Sequence, residues 1–201
     1  MRHSKFKSRC AESLIETIIA VTVIIIGSSA AIGITHSSLK GNESIAYKMV
    51  AMNLAQEGIE AVKNIRDSNY LRFASDPDAC WATINATSSH DSSDCSSLTP
   101  ISTTITYYLH RDITTNFFQW SLKPTTTSNT GVVYQYAVDS SHNIYLQKGT
   151  GSSYTATIYT RKLSFSNYTD PDSFDLTVTV TWTESGISKT LSLTRTIANV
   201  Y

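Results

Sequence analysis

Glu16 is the only charged residue between Leu14 and Ile34, a run that reads LIETIIAVTVIIIGSSAAIGI. A carboxylate at the end of such a run costs a few kcal/mol in lipid unless it is paired, which makes it a candidate functional group. The alternative is a place in the headgroup zone, two residues inside the run, where it needs no partner. Other chemistry-bearing residues are sparse. The five histidines, His3, His36, His90, His110 and His142, show no HxxxH or HExxH spacing, and Cys80 and Cys95 are too far apart for a CxxC zinc knuckle. No GxSxG, P-loop or GxGxxG occurs, so the sequence points away from an enzyme, and neither a metal nor a cofactor is expected. Asp76-Pro77-Asp78 and Asp170-Pro171-Asp172 with Asp175 bring together the oxygens Ca²⁺ needs, but they lack EF-hand spacing and read first as turns. The eleven tyrosines and Trp81, Trp120 and Trp182 read as sheet packing before they read as a sugar- or peptide-binding surface.

The elements that carry these residues follow from composition and periodicity. The run of 21 residues makes a helix of about 31 Å, close to the ~30 Å of a bilayer's hydrocarbon core. Four of the 16 basic residues, Arg2, Lys5, Lys7 and Arg9, precede it with no acid among them, which places the N-terminus in the cytoplasm and the rest outside. The remaining twelve basic residues face 16 acids, so charge gives no reason to expect nucleic acid as a partner. Twenty-nine Ser and 27 Thr, more than a quarter of the chain, describe a surface kept in water by hydroxyls and rich in residues that suit strands. Cys80 and Cys95 are a candidate disulfide in an exported domain. Closing a loop of about 16 residues contributes roughly 3 kcal/mol; two buried free thiols are the alternative.

Residues 9 to 20, RCAESLIETIIA, resemble the prepilin family of type IV pilins and pseudopilins: a short basic leader, a small residue before the cut, then x-[ST]-L-I-E opening a long apolar helix. Ser13, Leu14, Ile15 and Glu16 match in order. The resemblance implies cleavage by a prepilin peptidase between Ala11 and Glu12, methylation of the new N-terminus at Glu12, and pairing of Glu16 with the amine of a neighbouring pilin-like subunit. Two costly charges in lipid would then neutralise each other. The chain departs from the family at both cut positions, with Ala11 where Gly is usual and Glu12 where Phe is usual. The rival is an ordinary signal peptide, with Ile18 to Ile26 as its core and Ser28-Ser29-Ala30 as its cleavage site. That reading gives a signal-anchored or secreted β-rich, adhesin-like domain that does not polymerise.

After Gly41, Met49, Val50, Leu54, Ala55, Ile59, Val62 and Ile65 recur at spacings of three and four, as one face of a helix does. This stretch resembles the second helical half of a subset of prepilin-like proteins, extending the likeness to about residue 69. Gly33 to Gly41 is the expected site of bending or local melting, since each Gly costs about 1 kcal/mol in a helix. Strands are expected at Ile101 to Leu109, Phe117 to Leu122, Val132 to Val138, Asn143 to Gln147, Thr155 to Phe165, Phe174 to Trp182 and Ser188 to Ala198. The last two form a hairpin with one buried and one hydroxyl-lined face, and Asp139 to His142 turns another. The expected organisation is thus a leader over 1–11, a membrane helix over 12–40, an amphipathic helix over 41–68, an irregular loop over 69–100 and a β-rich head over 101–201. The fold class is α+β: a long N-terminal helix packed on an antiparallel sheet, which is also what likeness to pilins implies.

Overall fold

The computed structural model describes residues 9–73, 76–83, 95, 99–111, 120–126, 130–137, 143–147, 154–169 and 172–199, with backbone only at 9–13, 137, 143 and 169. The fold is α+β: a long N-terminal helix, α1 (Arg9–Arg72), a short α2 (Pro77–Cys80), and seven antiparallel strands in one sheet. The chain divides into two compact units, Met1–Tyr47 and Lys48–Tyr201. In the first, the described residues are α1 alone. The second holds the end of α1, α2 and the whole sheet.

Gly33, Gly41 and the residues between them are helical, so the helix runs through these positions without local melting. A Cβ at either glycine would meet nothing within 4 Å. Their cost is one of propensity alone, and cooperative helix on both sides covers it. The C-terminal end also differs from expectation. Residues 69 to 72 extend the helix instead of opening the loop, because Asn69 is held there by tertiary bonds. Its Nδ2 donates to the carbonyls of Trp81 at 3.2 Å and Thr83 at 3.0 Å. Asp76 then caps α2, accepting from the Ala79 amide, with Pro77 in the first turn, where a missing N–H costs nothing.

In the second unit α1 buries Ala51, Leu54, Ala55, Gly58, Ala61, Val62, Ile65 and Asn69, steps of three and four that make a single stripe. Met49, expected on that face, is 61% exposed; it lies off the stripe that Ala51 and Leu54 define. The stripe is lined with small residues, and the helix comes so near the sheet that a Cβ on Gly58 would sit 2.9 Å from Val178 Cγ1.

The strands are β1 (Thr106–Arg111), β2 (Trp120–Pro124), β3 (Val132–Ala137), β4 (Asn143–Gln147), β5 (Tyr154–Thr169), β6 (Ser173–Glu184) and β7 (Ile187–Ala198). All seven expected strands are present among the described residues, with β5 longer, β1 starting five residues later and β2 ending two residues later than expected; Phe117, Phe118, Gln119 and Val138 of the expected strands lie outside the described residues. The 16-residue β5 organises the sheet. One of its edges carries β3 along its first half and β1 at Leu163 and Ser164, and the other carries β6, with β7 beyond. β2 flanks β1, and β4 flanks β3. The β6–β7 turn has two residues, Ser185 and Gly186, both at positive φ, the backbone that a tight hairpin between twisted strands requires. Phe174, Leu176, Val178, Val180 and Trp182 are buried on the helix side, while Thr177 with Thr194 and Thr179 with Ser192 share hydroxyl hydrogen bonds on the other. The expected turn at Asp139 to His142 lies outside the described residues.

Candidate functional site

In the first unit the helix presents eleven large aliphatic side chains between Leu14 and Ile34, from 54% exposed at Val21 to 73% at Ile34. This helix is long and apolar enough to cross a membrane. Four of its hydroxyls are compatible with an apolar surrounding: Thr17, Thr22, Ser29 and Thr35 donate to the carbonyls of Leu14, Ile18, Ile25 and Ala31 at 2.5–2.9 Å. Glu16 cannot follow them. An ionised carboxylate only accepts, and the N–H groups of a helix interior are already donated. Glu16 is exposed and stands one turn along the helix from Glu12. Ala11, Glu12 and Ser13 belong to the helix by their backbone, and their side chains lie outside the described set, as do residues 1–8 with Arg2, Lys5 and Lys7.

The second unit is pinned by a group that sequence patterning missed. Arg161 sits in the middle of β5 with no exposed surface. Its Nη1 donates to the Leu54 carbonyl at 2.9 Å and to Glu57 Oε2 at 2.7 Å, joining the sheet to α1. Its Nε donates to Gln147 Oε1 at 2.9 Å. Gln147 is buried and saturated: Oε1 also accepts from the Leu109 amide, and Nε2 donates to the carbonyls of Gly131 and Arg161. Gln147 therefore ties β1, β4 and β5 where β1 and β3 part along one edge of β5. Burial presses the Arg161 guanidinium below its ordinary value, and the Glu57 carboxylate opposes that shift. A cation in the middle of an alternating strand is the only sequence signal, and its partner is 104 positions away.

Cys80 and Cys95 are joined, with Cα atoms 5.6 Å apart, against the buried ring of Phe73. Next to them Trp81 stacks on Phe174 with ring centres 5.1 Å apart. Asn199, past the end of β7, bonds to Tyr70 of α1 and to Asp78 of α2. The remaining candidates are dispersed. Asp175 accepts from Thr196 and Asn167 at 2.6 and 2.7 Å, which holds its carboxyl below the usual carboxylate range. Asp170 and Pro171 lie outside the described residues, as do His3, His90 and His142. Among the described residues no group of three His, Cys, Asp or Glu side chains is placed to hold a metal ion. Trp81 and Trp182 are buried, and Trp120 is half-buried beneath the Arg111 guanidinium, 5.1 Å from its ring centre.

Comparison of the chain with protein-family models, with curated proteins and with solved structures found no match.

Proposed function

We propose that the chain is a pilin-like structural subunit, a minor pilin or pseudopilin of a type IV pilus or of a type II secretion-like filament. In this reading the leader stays in the cytoplasm, α1 crosses the membrane from Leu14, and the β-rich unit stands outside. A prepilin peptidase cuts between Ala11 and Glu12. Glu16 then pairs with the new N-terminal amine of a neighbouring subunit, and the exposed aliphatic helix becomes the contact surface between subunits in the filament.

The observation that carries the reading is an exposed aliphatic helix, with Glu16 near its start, in a chain whose second unit buries its own core. Transfer of the eleven aliphatic side chains out of water is worth on the order of 10 kcal/mol or more. One carboxylate opposes it with about 3 kcal/mol. Membrane insertion therefore wins with Glu16 in place, and the residual cost is removed by a cation beside it. Glu16→Val tests this division of roles. The variant is expected to insert normally and to be lost from filaments in sheared surface material; normal incorporation removes Glu16 from assembly.

A further inference from the structure

β7 pairs with β6 alone among the described strands. The two-residue turn makes Glu184 and Ile187 a hydrogen-bonded pair, so the backbone groups of the even-numbered residues from Ser188 to Thr196 point to the outer edge. Two bonds agree with this phase: the Ala198 carbonyl is reached from outside by Arg66 Nη1, and the Asn199 amide points inward to the Asp172 carbonyl. The edge is long and carries no proline. Such an edge is a template for another strand unless its side chains forbid one.

Those side chains are selective. On the helix side β7 reads Lys189, Leu191, Leu193, Arg195, opposite Trp182, Val180, Val178 and Leu176. The two cations are exposed and the two leucines half-buried. Glu57 leans toward β5 and Gly58 sits over Val178, so the next residue, Ile59, turns toward β7, with Met52 two turns earlier on the same flank. Both are half-buried. Met52, Ile59, Leu191 and Leu193 are thus half-buried apolar side chains on the β7 side, and the exposed Lys189 and Arg195 bracket the two leucines. A second β7 is a poor occupant, since antiparallel self-pairing about Ser192 sets Lys189 against Arg195, and like charges directly opposite destabilise a sheet.

We propose that the β7 edge docks an extended segment of a different protein by strand addition. On the face turned toward α1 the segment reads acidic, apolar, apolar, acidic at alternate positions. Its carboxylates meet Lys189 and Arg195, six positions apart, and its apolar side chains lie beside Leu191 and Leu193. No two acidic residues in this chain stand six positions apart, so another copy does not supply the motif. The proposal does not depend on filament assembly.

The test uses the full chain in mild detergent and a fluorescent nonapeptide, Thr-Glu-Thr-Val-Thr-Val-Thr-Glu-Thr, against the same peptide with both glutamates replaced by lysine. The acidic peptide is expected to bind about tenfold more tightly, less so as salt is raised. The double variant Lys189→Glu, Arg195→Glu is expected to reverse the preference while leaving the circular dichroism spectrum unchanged. Ser192→Pro, which removes one outward N–H, is expected to abolish binding of both peptides. Equal affinities for the two peptides, no saturable binding up to about 1 mM, or an unchanged preference in the double variant would overturn the proposal and leave Lys189 and Arg195 as guards against edge association.

Discussion

Removing Glu57 is expected to be far more damaging than its half-exposed position on α1 suggests. The Arg161 guanidinium is fully buried, and among the described residues its Nη2 has no partner and Glu57 Oε2, at 2.7 Å, is the one carboxylate bonded to it. Breaking a buried pair from one side costs about 3–5 kcal/mol, because the remaining ion stays in low dielectric without compensation. Glu57 is itself 32% exposed, so water reaches part of the site and about 2–3 kcal/mol is the reasonable figure for Glu57→Ala. For a chain of this size that lowers the melting temperature by roughly 4–12 °C. Arg161→Met combined with Glu57→Ala removes both charges and keeps an apolar stem, so it is expected to be more stable than Glu57→Ala alone. Urea unfolding in mild detergent, followed by the fluorescence of the buried Trp81 and Trp182, yields the double-mutant cycle. A coupling above about 1.5 kcal/mol is expected. A cost below about 0.5 kcal/mol for Glu57→Ala, or additivity within that error, would refute the view that this pair clamps helix to sheet.

Three further outcomes follow from the same geometry. Gly58→Ala is expected to destabilise by about 1–2 kcal/mol although alanine is the better helix former, because its Cβ meets Val178 Cγ1 at 2.9 Å; placing Val178→Ala behind it shrinks that penalty, and an unchanged penalty in equilibrium unfolding contradicts the close-approach argument. Replacing Cys80 and Cys95 by serine opens a loop with a sequence separation of 15 and is expected to lower the unfolding free energy by about 3 kcal/mol, against no change if the bridge carries no constraint. Asp175 has its folded pKa depressed by the Thr196 and Asn167 bonds, so its stabilisation is full above the ordinary carboxylate pKa and lost as pH falls through the lower folded value; Asp175→Asn should flatten that part of the acid limb in urea midpoints measured from neutral pH downward, and identical limbs would remove the residue from the acid response.

The legible parts of the fold are those governed by local period. Leu176 to Trp182 alternate with threonines, and the Glu184-Ser185-Gly186 stretch punctuates them, so β6, β7 and their turn could be placed to within a residue or two. The membrane-length segment and Glu16 need only composition and length. What stayed hidden is non-local. Arg161 looks like an ordinary outward cation on β5, since nothing nearby in sequence reveals a glutamate on α1 and a glutamine on β4. Gly58 looks like a weak point in a helix, and only the sheet beneath it turns it into a contact. Asn69 looks like the start of a loop, and the carbonyls that hold it in α1 belong to Trp81 and Thr83. Gly33 and Gly41 mislead in the opposite sense, because glycine raises the cost of a helix without dictating where one stops.

The central claim is best tested by the intact mass of the protein extracted from membranes. Processing as a pilin-like subunit predicts a chain that begins at Glu12, heavier by one methyl group if the new amine is methylated. A chain that begins after Ala30, or one that still begins at Met1, would contradict it.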